Sequence, residues 1–88
     1  MVNLIIVEDE PIMNKFIANS IDFQSLGINL AGIFFSADDA FDFLQSNPVD
    51  LVVTDIKMPK IDGITFIDTA LKLYPELKFI VLSNFDDY

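Results

Sequence analysis

LVVTDIKMPKIDG, from Leu51 to Gly63, reads as a buried strand that stops at a carboxylate and passes through a loop into a helix. Leu51, Val52 and Val53 form a continuous apolar run, the pattern of a strand covered on both faces in a parallel sheet. Asp55 closes the run. Met58-Pro59 and Asp62-Gly63 are loop and turn formers, and a helix is predicted from about Gly63 to Leu73. In open α/β sheets, chemistry collects beyond the carboxyl ends of the strands. Asp55 sits at such an end, although an Asp there is equally a turn or cap residue when read alone.

The first strand carries the same signature. The predicted first strand, Val2 to Val7, ends in the apolar run NLIIV, Asn3 to Val7, which leads straight into Glu8, Asp9 and Glu10. In a chain of alternating strands and helices, two strands that end in acid would set their carboxylates side by side. Such like charges repel, and they stay ionised together when a cation lies among them. Oxygen ligands without His or Cys favour magnesium or a similar hard ion. Taken singly, Glu8 and Asp9 also read as acids at a helix start, stabilised by its dipole.

The rest of the chain alternates. Pro11 suits an early helical position, and Ile12, Met13, Phe16, Ile17 and Ile21 recur at helical spacing. They predict an amphipathic helix from about Glu10 to Phe23, with its Met and aromatic members in the core and Gly27 at the exit. INLAGIF, Ile28 to Phe34, predicts the second strand, interrupted by Gly32. Ser36 with Asp39 forms a capping pattern for a second helix that buries Ala37, Ala40, Phe41 and Leu44 and stops at Asn47-Pro48. In the third helix, Ile64, Ile67, Ala70, Leu71 and Tyr74 form the expected inner face, ended by Pro75. KFIVLS, Lys78 to Ser83, predicts a fourth strand ending in a hydroxyl. This alternation implies a parallel sheet with right-handed crossovers and helices on both faces.

Composition narrows the function. The chain has 88 residues, 52% hydrophobic with nine Phe, enough for one small domain over residues 1–88. Its net charge is −9, from five Lys and fourteen acids without Arg or His, which disfavours nucleic-acid binding and a membrane surface. There is no Cys, so disulfides and thiolate metal sites are excluded. No signal-peptide pattern or run of transmembrane length is present, and a cytoplasmic location is expected.

VEDE after the first strand, TDIKMPKIDG at the third and VLSNFDDY at the fourth together resemble the receiver domain of bacterial two-component response regulators. The last motif looks most like receivers that precede AraC-type DNA-binding domains. The resemblance implies a flavodoxin-like (CheY-like) three-layer α/β/α fold with strand order 2-1-3-4. It also implies a phospho-accepting module in transcription regulation, served by a sensor histidine kinase and Mg2+, rather than an enzyme acting on a diffusing substrate. By the same resemblance Asp55 matches the phosphorylated residue. Glu8, Asp9, Asp55 and the backbone carbonyl of Lys57 match the metal ligands. Ser83 matches the switch hydroxyl that contacts the phosphoryl group, and Asn84 stands where the family commonly has a small residue.

A fifth strand with the family's lysine is absent, and Lys15, Lys57, Lys60, Lys72 and Lys78 do not match that lysine's place. An exposed edge at the fourth strand is therefore expected to promote self-association. The competing reading is a truncated, switch-dead interaction module that binds a kinase or another receiver. A haloacid-dehalogenase-like phosphatase would need a second Asp at position 57, where this chain has Lys.

Overall fold

In the computed structural model, residues 1–56 and 62–82 are described. In order they form β1 (Val2–Val7), α1 (Pro11–Ser20), a 3-10 turn (Gln24–Leu26), β2 (Ile28–Phe34), α2 (Ala37–Ser46), β3 (Leu51–Asp55), α3 (Gly63–Leu73) and β4 (Lys78–Leu82). The strands make one parallel sheet in the order β2-β1-β3-β4, as expected.

Strand alternation divides the core in two. Ile5 and Val7 of β1 and Val52 of β3 face a cluster built with Ala37, Ala40 and Leu44 of α2 and Phe66 and Ala70 of α3. Leu4 and Ile6 face the other way and meet Ile17 and Phe23, with Val53 of β3. The two central strands are thus covered on both sides, which is why they read as unbroken apolar runs. Phe66 is fully buried, with ring centroids 5.1 Å from Phe41 and 6.2 Å from Phe79. Each such aromatic contact adds roughly 0.5–1.5 kcal/mol beyond area burial.

Local chemistry sets the element ends. Ser36 caps α2, its Oγ accepting the Asp39 N–H at 3.2 Å, and Asn47 terminates that helix as predicted. Gly32 marks an irregularity: Leu4 pairs with Leu30 but Ile5 pairs with Gly32, so Ala31 is an extra, bulged residue.

The first helix differs from expectation. It ends at Ser20, where the Ser20 hydroxyl donates to the Phe16 carbonyl at 2.5 Å and Ile21 turns extended. Gly27, with φ 74°, ends the 3-10 turn instead. The buried residues of α1 are Asn14 and Ile17, whereas Ile12, Met13, Phe16 and Ile21 are exposed, Ile12 at 84% and Phe16 at 65%. The expected stripe is therefore rotated toward Asn14, whose side chain donates to carbonyls at the strand ends.

In α3 the inner face is Gly63, Phe66 and Ala70, with Ile67 and Tyr74 partly buried against the same cluster. Ile64 and Leu71 point outward. The strand predicted to reach Ser83 is described as far as Leu82. Among the described residues, no helix is long and apolar enough to cross a membrane.

Candidate functional site

The sheet register assembles the site. Val7 pairs with Phe34 on one side and Thr54 on the other, so the residues that follow on the central strands, Glu8 and Asp55, emerge together. The Glu8 N–H donates to the Phe34 carbonyl at 3.0 Å, carrying β1's pairing one residue further. Beyond it, one carboxylate oxygen each of Glu8, Asp9 and Asp55 lies within 4.8 Å of the other two. Glu8 is buried, and Asp9 and Asp55 are half-buried.

Burial pushes the Glu8 carboxyl up from 4.5 to about 7; the Glu10 backbone N–H pulls against this, and the neighbouring Asp55 and Asp9 carboxyls push further up. The Glu10 N–H reaches Glu8 Oε2 at 2.8 Å and fixes the side chain. A crowded carboxylate cluster with one buried member is relieved by a proton on that member or by a cation. Its donors are all hard oxygens, and the set fits a magnesium-class ion.

Backbone geometry aims Asp55. Asp62 caps α3, its Oδ1 accepting the Thr65 N–H at 2.7 Å, and this bond holds the Asp62 carboxyl below its usual range. The Gly63 N–H donates to the Ile56 carbonyl at 2.5 Å. A Cβ at Gly63 would lie 2.0 Å from the Asp55 carbonyl oxygen and 2.7 Å from the Ile56 Cα. Glycine therefore lets α3 start directly against the strand end, a role beyond the turn expected of Asp62-Gly63. The buried Thr54 hydroxyl donates to the same Asp55 carbonyl at 3.2 Å.

Sequence reasoning alone misses Asn14. It is fully buried, and its Nδ2 donates to the carbonyls of Glu8 at 3.1 Å and Phe34 at 3.0 Å. The only sequence signal is a polar residue three before Ile17 on the same helical face. Glu8, Asp9 and Asp55 are brought together as predicted, whereas Lys57, Ser83 and Asn84 lie outside the described residues, as do Met58, Pro59 and Lys60. Lys72 pairs instead with Asp68 on the α3 surface, at 3.2 Å.

A 2-1-3-4 parallel sheet flanked by helices, with acids beyond its two central strands, places the molecule in the flavodoxin-like class. Residues 4–88 match the family model described as the response regulator receiver domain, and the chain belongs to that family. It is 32% identical over 88 residues to the uncharacterized transcriptional regulatory protein YesN of Bacillus subtilis (strain 168), all of this chain but 24% of that protein. It is 29% identical over 85 residues to the response regulator receiver protein CpdR of Brucella abortus (strain 2308), covering 97% of this chain and 68% of that one.

Among solved structures, a two component transcriptional regulator AraC from Clostridium phytofermentans ISDg superimposes with a TM-score of 0.88 at 28% identity, over 99% of this chain and 70% of that chain. The isolated REC domain of RcsB from Salmonella enterica serovar Typhimurium, determined in the presence of phosphomimetic BeF3-, gives 0.84 at 32% identity, over 93% and 61%. The fold expectation, a CheY-like receiver with order 2-1-3-4, is met. The chain spans about a quarter of YesN, so activities of such a whole regulator are not carried over with the family.

Proposed function

We propose that residues 1–88 act as a phospho-accepting receiver domain, with Asp55 as acceptor and a phosphohistidine of a sensor kinase as donor. The observation that carries this reading is the convergence of Glu8, Asp9 and Asp55 at the ends of two adjacent central strands. An Asp55 carboxylate oxygen attacks the phosphorus, the P–O bond forms as the P–N bond breaks, and the imidazole leaves with a proton. Glu8, Asp9 and Asp55, with the Lys57 carbonyl, would hold Mg2+, which when bound neutralises charge on the transferring oxygens. Glu8 is buried, so little water would compete for its oxygens, and a bound cation would favour the ionised form that burial alone disfavours. Ser83 and Asn84 are assigned to contacts with the phosphoryl group, on the family resemblance.

The donor protein docks on α1. This helix starts immediately after the acids, and Ile12 and Phe16, one turn apart, expose their apolar side chains with Met13 alongside. Readout passes to a DNA-binding output domain in a longer regulator, as the relatives described as transcriptional regulators suggest. The segment itself, at net charge −9, is not a DNA-contacting surface. Cytoplasmic location follows from this role.

Intact-mass spectrometry after incubation with acetyl phosphate and Mg2+ tests the acceptor. One phosphoryl adduct is expected, absent in Asp55→Asn. No adduct on a folded, Mg2+-binding wild type would favour the alternative reading, an interaction module without switching chemistry. The exposed Ile80 and Val81 on β4 support that alternative, as apolar surface available to a second copy or another receiver.

A further inference from the structure

We infer that Asn14 is a positioning residue for the carboxylate cluster, setting through the backbone where Glu8 and Asp9 present their oxygens to a divalent cation. The inference rests on reading Glu8, Asp9 and Asp55 as a cation site. Asn14 grips the segment at both ends: its side-chain Nδ2 donates to the Glu8 carbonyl at 3.1 Å, and its backbone N–H donates to the Glu10 carbonyl at 2.9 Å. Asp9 lies between those two tied carbonyls. The peptide plane that joins Glu8 to Asp9 is thereby held by the Asn14 side chain, while the plane after Asp9 is pinned by the Glu10 N–H on Glu8 Oε2 at 2.8 Å.

The second Nδ2 bond, 3.0 Å to the Phe34 carbonyl, anchors this assembly to β2. Phe34 already accepts the Glu8 N–H at 3.0 Å, so both lone pairs of its oxygen are used. One carboxamide thereby closes a ring through the ends of β1, β2 and α1. A carboxamide, with two N–H donors on one nitrogen, suits two converging carbonyls, whereas a carboxylate or an aliphatic side chain supplies no donor. The geometry is retained although Asn14 Oδ1 is buried without a hydrogen-bond partner among the described residues. An amide placed only to satisfy itself would not be turned this way. Turning the nitrogen toward the strand ends serves Glu8 and Phe34, not Asn14. This is the arrangement by which outer groups orient metal ligands that they do not join.

The test uses the full 88-residue chain and Mg2+ alone, followed by amide NMR at Glu8, Asp9 and Asp55, with urea stability measured in parallel. Wild type is expected to show saturable shifts at these residues. Asn14→Leu is expected to raise the half-saturating Mg2+ concentration roughly 10–100-fold, and Asn14→Ser, with one shorter donor, to fall between. Ile17→Val, on the same buried face, is expected to lower stability while leaving half-saturation at the wild-type value. If Asn14→Leu does not fold, Asn14→Ser decides: weakened Mg2+ binding supports the role, and unchanged binding overturns it. Equal weakening by Ile17→Val would show a merely structural effect and overturn the inference while the cation reading stands. Absence of Mg2+-dependent shifts in wild type would overturn both.

Discussion

Gly63 and Asp55 meet so closely that a single methyl group at position 63 would sit 2.0 Å from the Asp55 carbonyl oxygen. The obstacle is backbone, which yields only by moving the strand end or the start of α3. Gly63→Ala is expected to destabilise the fold by about 1–3 kcal/mol or more and to displace the Asp55 carboxylate. Urea unfolding with acetyl phosphate labelling of the folded fraction checks this. A variant with wild-type stability and labelling would refute the close approach.

Glu8 links stability to pH in the direction opposite to a salt-bridged acid. Its carboxyl is raised from 4.5 to about 7 in the fold, so between those pH values the unfolded chain gives up the proton first. Its contribution is full below pH 4.5, declines as pH rises, and is lost above about 7, a change on the order of 3 kcal/mol. The stability difference between wild type and Glu8→Gln is expected to trace this fall in urea titrations. If the proposed cation site is correct, Mg2+ is expected to stabilise wild type above about pH 7 and much less near pH 5, since a cation favours the ionised cluster.

Phe66 is the centre of the larger core cluster, in contact with Phe41 and Phe79. Phe66→Ala removes that packing and is expected to cost about 3–5 kcal/mol. Small domains have little stability to spare, so loss of dispersed amide resonances at room temperature is the anticipated result. Phe66→Leu is expected to remain folded with a lower urea midpoint.

Phe16 offers the reverse case. It is 65% exposed, so Phe16→Ala is expected to change stability by less than about 0.5 kcal/mol. Phosphotransfer from a phosphorylated histidine kinase is expected to slow roughly tenfold, corresponding to about 1.4 kcal/mol of lost docking, while labelling by acetyl phosphate is unchanged. Equal rates from the kinase would remove α1 as the docking face.

In both α1 and α3 the buried face departs from the apolar spacing because of what the helix meets at the strand ends. In α1 the apolar spacing of Ile12, Met13, Phe16 and Ile17 marks a stripe, but which edge of it faces the sheet depends on what the sheet offers. The Glu8 and Phe34 carbonyls need donors, Asn14 supplies them, and the helix turns that side inward, leaving Phe16 outside. In α3, Gly63 brings the helix against Asp55, which turns Phe66 and Ala70 inward and Ile64 out.

The order of strands and helices, the cap at Ser36, the turn at Asp62-Gly63 and the acids just past two apolar strands are all legible in the linear chain. Those features depend on side-chain periodicity and on hydrogen bonds between near neighbours, which a linear chain displays. The pairing of Val7 with Thr54, the burial of Glu8 beside Asp55 and the hold of Asn14 on the ends of β1 and β2 appear only once the chain is folded. These depend on contacts between segments far apart in sequence. Burial and register are properties of the whole packing and are carried by no single stretch of residues.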